Sequence, residues 1–112
     1  MTKYIGLYMA SDKQLAEWAA STPEDQAADM AEWKAWAEKE KAAIVELGTP
    51  LGKTLKVSVD GVAGMHNNIA GYTIVEADSH EAAARVFVSN PFLKTSETWV
   101  EVMDCVSMPG MD

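Results

Sequence analysis

The sequence has little of several residue types that would define a functional class. Among its 112 residues there is one cysteine, Cys105, so neither an intrachain disulfide nor a Cys-x-x-Cys metal or redox site can form. Nine lysine and arginine residues against seventeen aspartate and glutamate residues give a net charge of -8, which repels the phosphate backbone of nucleic acids. We therefore expect no nucleic-acid partner and a reducing, cytoplasmic environment.

Long apolar segments are also missing. No stretch approaches the roughly 18 apolar residues that a membrane-spanning helix requires, and the N-terminus, MTKYIGLYMASDKQ, has only a short apolar run. We expect neither membrane insertion nor secretion. The length fits a single domain over residues 1–112, because two smaller domains would each bury too little apolar surface.

Common catalytic and cofactor motifs are absent as well. No Gly-x-Ser-x-Gly, Gly-x-Gly-x-x-Gly or Walker sequence occurs, and neither histidine has an evident orienting acid in the sequence. Glu32, Glu38 and Glu40 have no histidine three or four residues away, which carboxylate–histidine metal sites require. We interpret them as a solvated face and expect no metal and no cofactor.

The first half of the chain shows a strand followed by two helices. Residues 3–9 predict a strand covered on both sides, and Ser11 with Gln14 predicts the start of a short helix that ends near Ala20. Thr22 and the following proline predict the main helix. Its apolar stripe should face a sheet and consists of Met30, Trp33, Trp36, Ala37, Ile44 and Leu47.

The second half alternates strands with one further helix. Residues 43–47 are either the end of the main helix or a short strand, and we favour the strand. Leu55, Val57 and Val59 predict a one-sided, edge-like strand, followed by a tight turn and an exposed loop over residues 64–68. Residues 69–77 predict a strand, residues 80–89 a helix and residues 98–105 the last strand.

This order of elements predicts the fold class. It is typical of an α+β domain of the split βαβ, ferredoxin-like kind, in which an antiparallel sheet carries its helices on one face. Cys105, at the end of an apolar strand, should then be a buried packing thiol.

Few side chains are candidates for chemistry. His66 lies in the predicted loop, where it faces either a ligand or solvent, and His80 in the first turn of a helix is best interpreted as a surface residue. The tryptophans Trp18, Trp33, Trp36 and Trp99 are numerous for so small a chain. Core or dimer packing is the simpler interpretation, and a wall for a flat organic ligand is the alternative.

The C-terminal half resembles a known family. The segments Gly71-Tyr72-Thr73-Ile74-Val75-Glu76-Ala77-Asp78-Ser79-His80-Glu81-Ala82-Ala83, Asn90-Pro91-Phe92-Leu93 and Val100-Glu101-Val102 are similar to the YCII-related (DGPF) family of the dimeric α/β-barrel superfamily. Residues 50–54, 60–62 and 108–111 also resemble a bacterial branch of that family. The resemblance covers nearly the whole chain, and its motifs are moderately specific as a set.

The resemblance implies a homodimer whose sheets pair into a barrel-like core, with a cavity between sheet and helices. It names no substrate, because the superfamily includes isomerases, dehalogenases, cofactor-free oxygenases and apparent binding modules. Members proposed to be enzymes carry a histidine on the long helix and an aspartate before the Pro-Phe pair. Here Trp33 lies near the first position and Asn90 occupies the second, and asparagine cannot exchange protons as a carboxylate does.

These observations leave three functions open. We favour a dimer that binds a small aromatic or apolar molecule, or has a structural role only, with a cavity lined by Tyr8, Trp33, Trp36, His66, Asn90 and Phe92. The second is an isomerase or lyase that uses His66 as acid or base, with Asn90 as a hydrogen-bond donor. The third is a protein-interaction module that pairs through the strand at Leu55 to Val59.

Overall fold

A computed structural model describes residues 1–110 and shows, within them, three helices and an open antiparallel sheet, which confirms the α+β class. The elements are β1 (Thr2–Ala10), α1 (Asp12–Ala19), α2 (Pro23–Lys39), β2 (Ile44–Glu46), β3 (Thr54–Ser58), β4 (Gly61–Met65), β5 (Ile69–Ala77), α3 (His80–Val86) and β6 (Thr98–Asp104). Four strands lie in the order β2-β5-β1-β6, which is the order that a split βαβ pattern produces. Strands β3 and β4 form a separate hairpin.

The helices cover one face of this sheet. Tyr4, Gly6 and Tyr8 of β1 are buried on the covered face, and the register pairs Tyr4 with Val75 and Gly6 with Thr73. Glycine is required at position 6, because a Cβ there would collide with the ring of Phe87. The core therefore lies between this face of the sheet and helices α2 and α3.

Side-chain caps fix where the helices begin. The Ser11 hydroxyl accepts a hydrogen bond from the Gln14 amide at 3.2 Å and starts α1. At α2, Thr22 and Asp25 form a reciprocal capping box around a proline in the first turn. Both starts, and the choice of a strand for residues 44–46, were predicted from the sequence and are confirmed.

The predicted apolar stripe of α2 is only partly correct. Trp36 is buried and Trp33 packs against the core, but Met30 is 57% exposed and Leu47 is 46% exposed. Met30 is exposed because every residue from Glu24 to Glu32 is exposed, so only the C-terminal half of α2 lies on the sheet. Leu47 is not part of the helix, because α2 ends at Lys39 and Leu47 follows β2.

Helix α3 is shorter than predicted. Ser79 caps it, with its hydroxyl accepting from the Ala82 amide at 3.0 Å, but the helix ends at Val86 rather than at residue 89. After Val86 the chain tightens into turns, since the Phe87 amide donates to the Ala84 carbonyl.

Residues 61–68 also differ from the prediction of an exposed loop at 64–68. Gly61–Met65 is strand β4, and Ser58 pairs with Gly61 across a tight turn. The segment lacks the β-branched alternation of an ordinary strand, so its extended form depends on pairing with β3. Residues 66–68 remain outside regular structure.

The buried position predicted for Cys105 is wrong, since the thiol is exposed. Cys105 follows β6, and strand alternation places it on the same side as Trp99 and Met103. Within residues 1–110 no helix packs on that side, and Trp99 and Met103 are themselves 41% and 43% exposed. Residues 107–112 have no hydrophobic periodicity, so the sequence predicts either a loose end or a strap across a partner; the last two of these residues lie outside the described part.

The second face of the sheet is apolar and open. In the register, Leu7 lies opposite Tyr72, and Ile5 lies opposite both Ile74 and Met103. All five side chains are half-buried or exposed. The Cα radius of gyration, 15.7 Å, exceeds the value of about 13 Å expected for a compact domain of this length. An uncovered sheet face and a projecting hairpin account for that difference.

Candidate functional site

A concave site lies at the root of the β3–β4 hairpin, and we call it the hairpin-root site. It is open to solvent, since Leu55 and Met65 in its lining are 69% and 48% exposed, and its volume is about 560 Å³. It is lined by residues of α1, the segment before β3, the hairpin itself and the start of β5: Leu15, Leu51, Gly52, Lys53, Thr54, Leu55, Gly64, Met65, His66, Asn67 and Ile69. Apolar side chains from four separate segments thus converge with a few polar ones.

His66 is held in place by an acid that is distant in sequence. Its Nε2 lies 2.8 Å from Oδ1 of Asp12, the first residue of α1. The pKa of Asp12 is lowered, first by the hydrogen bond with His66 and then by a hydrogen bond from Asn68. Because an ionised carboxylate only accepts hydrogen bonds, Nε2–H of His66 is the donor, and in the neutral ring Nδ1 is left as an acceptor.

The two asparagines after His66 fix the rest of this segment. Asn68 donates from Nδ2 to the Ala10 carbonyl at 2.9 Å and to Asp12 Oδ1 at 3.0 Å. Asn67 donates from Nδ2 to the Thr54 hydroxyl at 3.0 Å, while its Oδ1 accepts from a backbone amide. The hairpin is therefore tied to the end of β1 and to the start of α1 by side-chain hydrogen bonds.

The structure corrects the expectation that neither histidine has an orienting acid. Asp12 orients His66 across 54 residues of sequence. His80 instead lies 2.8 Å from the Val102 carbonyl through its Nε2. Because a carbonyl oxygen only accepts, Nε2–H of His80 is the donor. Its ring stacks on Tyr4 at 5.3 Å, so His80 fastens α3 to the edge of the sheet.

Five of the six side chains predicted to bind a ligand lie together elsewhere, between α2 and the sheet. The rings of Tyr8, Trp33, Trp36 and Phe92 contact one another, with centroid distances of 5.0 Å for Tyr8–Trp33, 5.2 Å for Tyr8–Phe92 and 5.9 Å for Trp33–Trp36. Tyr8 and Trp36 are buried, and the other two are half-buried. We call these four rings, with Asn90, the aromatic cluster.

Asn90 is part of a chain of buried hydrogen bonds in that cluster. Its Nδ2 donates to the Tyr8 hydroxyl at 3.3 Å, and its Oδ1 accepts from the Phe92 amide at 2.8 Å. The Thr73 hydroxyl, 2.7 Å from Tyr8 Oη, donates to the Leu47 carbonyl at 2.7 Å. Thr73 has a single hydroxyl proton, so Tyr8 must be the donor to Thr73.

This buried arrangement explains why the pKa of Tyr8 is raised. Burial raises the pKa of Tyr8 to about 12, and the hydrogen bonds with Thr73 and Asn90 oppose that rise. Such a phenol stays protonated at neutral pH, and its hydroxyl is part of the buried hydrogen-bond chain with Thr73 and Asn90. Of the predicted ligand-binding residues, only His66 lines the hairpin-root site.

Sequence reasoning missed most of the hairpin-root site. Nothing in the spacing of Asp12 or Lys53 connects either residue to His66, although Lys53 lies in a segment that resembles the YCII-related family. The signal that was available was the Gly- and Asn-rich segment around His66, which pointed to a functional loop but not to its partners.

No group of three or more His, Cys, Asp or Glu side chains suited to a metal ion occurs within residues 1–110. In the same part of the chain, no helix is both long and apolar enough to cross a membrane. No protein-family model matches the sequence, and no curated protein matches it significantly. The resemblance to the YCII-related family stays a prediction.

Proposed function

We propose that the protein is a homodimeric domain that binds a small apolar molecule in the hairpin-root site. The observation that carries this proposal is the concave site of about 560 Å³, in which Leu15, Leu55 and Met65 converge beside an oriented histidine. Ligand pockets typically combine an apolar wall with a small number of fixed polar groups. The aromatic cluster is a weaker candidate, because its rings occupy the space between α2 and the sheet.

Octanol, a small neutral amphiphile, tests this proposal by titration calorimetry. We expect saturable binding that Leu55→Asp abolishes, since a carboxylate in the apolar lining would be desolvated by the ligand. Val57→Asp is the matched control, because Val57 lies on the same strand and the same face but does not line the site. Binding that survives Leu55→Asp, or that Val57→Asp removes equally, contradicts the proposal.

The dimer is proposed from the open face of the sheet. Ile5, Leu7 and Ile74 form an apolar surface without a cover, and a chain of this size buries few hydrophobic side chains alone. A second copy presents the same apolar face, so two copies related by a twofold axis bury these faces against each other. This pairing is the barrel-like arrangement that the resemblance to the YCII-related family implies.

Light scattering tests the dimer. We expect a mass twice the 12.2 kDa of the chain, and Leu7→Glu should give the monomer, because it places a charge at the centre of the open face. Met30→Glu, on the exposed part of α2, should leave the dimer intact. A wild-type monomer would contradict the dimer, and a larger species found only with cell extract would favour the interaction module.

One observation favours a second function, proton transfer by His66. The Asp12 carboxylate orients the ring at 2.8 Å, the relation that positions a general base or acid in many enzymes. An isomerase-type activity would exchange an acidic C–H of a ring ketone or lactone with deuterium from heavy water. We expect His66→Gln to abolish such exchange and Asp12→Asn to slow it, whereas exchange unchanged in His66→Gln would exclude this function.

A further inference from the structure

The lining of the hairpin-root site differs in composition from the chain as a whole. Seventeen of the 112 residues are acidic, and the net charge is -8, yet within residues 1–110 none of the residues that line the site is aspartate or glutamate. Its two ionisable lining residues are Lys53 and His66. A site that merely sampled the surface of this protein would be expected to contain acids.

Lys53 is available for a ligand. Within residues 1–110 it takes part in none of the ion pairs, which join Lys41, Arg85 and Lys94 to acids and His66 to Asp12. The only acid bonded to the lining is Asp12, and its Oδ1 already accepts hydrogen bonds from His66 and Asn68. Within residues 1–110, the Lys53 ammonium therefore has no carboxylate within ion-pair distance.

From this juxtaposition we infer that the hairpin-root site takes a small organic monocarboxylate, an inference that rests on the proposed binding function. The apolar body lies against Leu15, Leu55 and Met65, and the carboxylate pairs with Lys53. A charge-assisted hydrogen bond from an ammonium to a carboxylate is stronger than one between neutral groups. One negative charge suits the site better than several, because the net charge of -8 repels polyanions.

His66 supplies a second polar contact on the same side. In the neutral ring Nε2–H is committed to Asp12, so Nδ1 accepts a hydrogen bond; in the protonated ring Nδ1–H donates one. A protonated His66 thus adds to the attraction for a carboxylate, whereas a neutral ring suits a ligand hydroxyl. Preference for the anion over a neutral alcohol is expected to depend on Lys53.

Octanoate and octanol share an apolar body and differ in charge. Comparing their affinities therefore separates the claim that the site binds an apolar body from the claim that it prefers a carboxylate. We expect octanoate to bind about fivefold more tightly than octanol, the gain of one partly exposed ion pair. Lys53→Gln should remove this preference, so that octanoate and octanol bind this variant with equal affinity. Lys56→Gln, on the same hairpin but outside the lining, makes the same change in net charge and should retain it.

Each outcome of the titrations tests either the preference for a carboxylate or the binding function on which it rests. Equal affinity for the two probes in the wild-type protein, or a preference that Lys53→Gln leaves intact, overturns the inference and leaves the binding function standing. Loss of the preference in Lys56→Gln as well as in Lys53→Gln overturns it too, because overall charge would then be the cause. Absence of binding by either probe overturns the inference together with the proposed function.

Discussion

Asp12 and His66 join the start of α1 to the end of the β3–β4 hairpin through one hydrogen bond of 2.8 Å. Both side chains are mostly exposed, so the contact contributes to the position of the hairpin more than to global stability. The bond closes a loop of the chain that includes two helices and three strands. The position of His66 in the hairpin-root site depends on it.

Asp12→Asn should loosen the hairpin without unfolding the protein. The carboxylate accepts from both His66 and Asn68, and a neutral amide attracts these donors less strongly. We expect amide hydrogen exchange in β3 and β4 to accelerate roughly two- to fivefold, while exchange in β1 and β5 is unchanged. Asp60→Asn, at the hairpin turn, is the control. It also removes one negative charge, but within residues 1–110 the Asp60 side chain makes no hydrogen bond or ion pair, and only the backbone amide bonds, to Ser58.

The same contact predicts a dependence on acid pH. The pKa of Asp12 is lower in the folded chain than in the unfolded chain, so its contribution is present above its ordinary pKa and is lost as the pH falls through the lowered value. Wild-type hairpin resonances should shift toward those of Asp12→Asn in that acid range. Hairpin resonances that are identical in the two proteins at neutral pH would show that the contact does not hold the hairpin.

Tyr8 predicts a loss of stability at alkaline pH. Its pKa is raised from 10.0 to about 12 by burial, so between these values the unfolded chain releases a proton that the folded chain retains. The free energy of unfolding therefore falls as the pH rises from about 10 to 12, by at most about 2 kcal/mol. Urea denaturation across this range should show the fall in the wild-type protein and a smaller one in Tyr8→Phe; equal slopes would contradict the burial of the phenol.

Gly6→Ala should destabilise the core. An added methyl group would meet the ring of Phe87, which is itself 2% exposed and cannot move outward. We expect a loss of about 1–3 kcal/mol in the free energy of unfolding, the usual cost of overpacking. Gly64→Ala, also in a strand, meets no atom within 4 Å and should change stability by less than about 0.5 kcal/mol. Similar effects of the two substitutions in thermal unfolding would contradict this packing.

Local signals predicted much of the fold. The caps at Ser11 and Thr22 depend on residues three positions away, and strand alternation depends on immediate neighbours, so both are visible in sequence. The preference for a strand over a helix end in this region was also correct, since residues 44–46 form β2. The exposure of Cys105 was not predicted, because periodicity shows that a strand has two faces but not which face receives the helices.

The candidate site was much less predictable. Tyr8, Trp33 and Trp36 are aromatic whether they line a cavity or fill a core, and only their mutual contacts distinguish the two. His66 was recognised, but its partner Asp12 lies 54 residues away in a segment with no motif. Contacts of this kind depend on the path of the whole chain, and local sequence patterns carry no information about that path.

The central claim is that a small molecule binds at the root of the hairpin rather than beneath α2. Chemical-shift mapping with octanoate on the isotope-labelled protein tests it most directly. We predict that the shifted amides cluster at residues 51–55 and 64–67, with little change near Trp33 and Trp36. Shifts centred instead on Trp33, Trp36 and Phe92, with none in the hairpin, would contradict the claim and assign the ligand to the aromatic cluster.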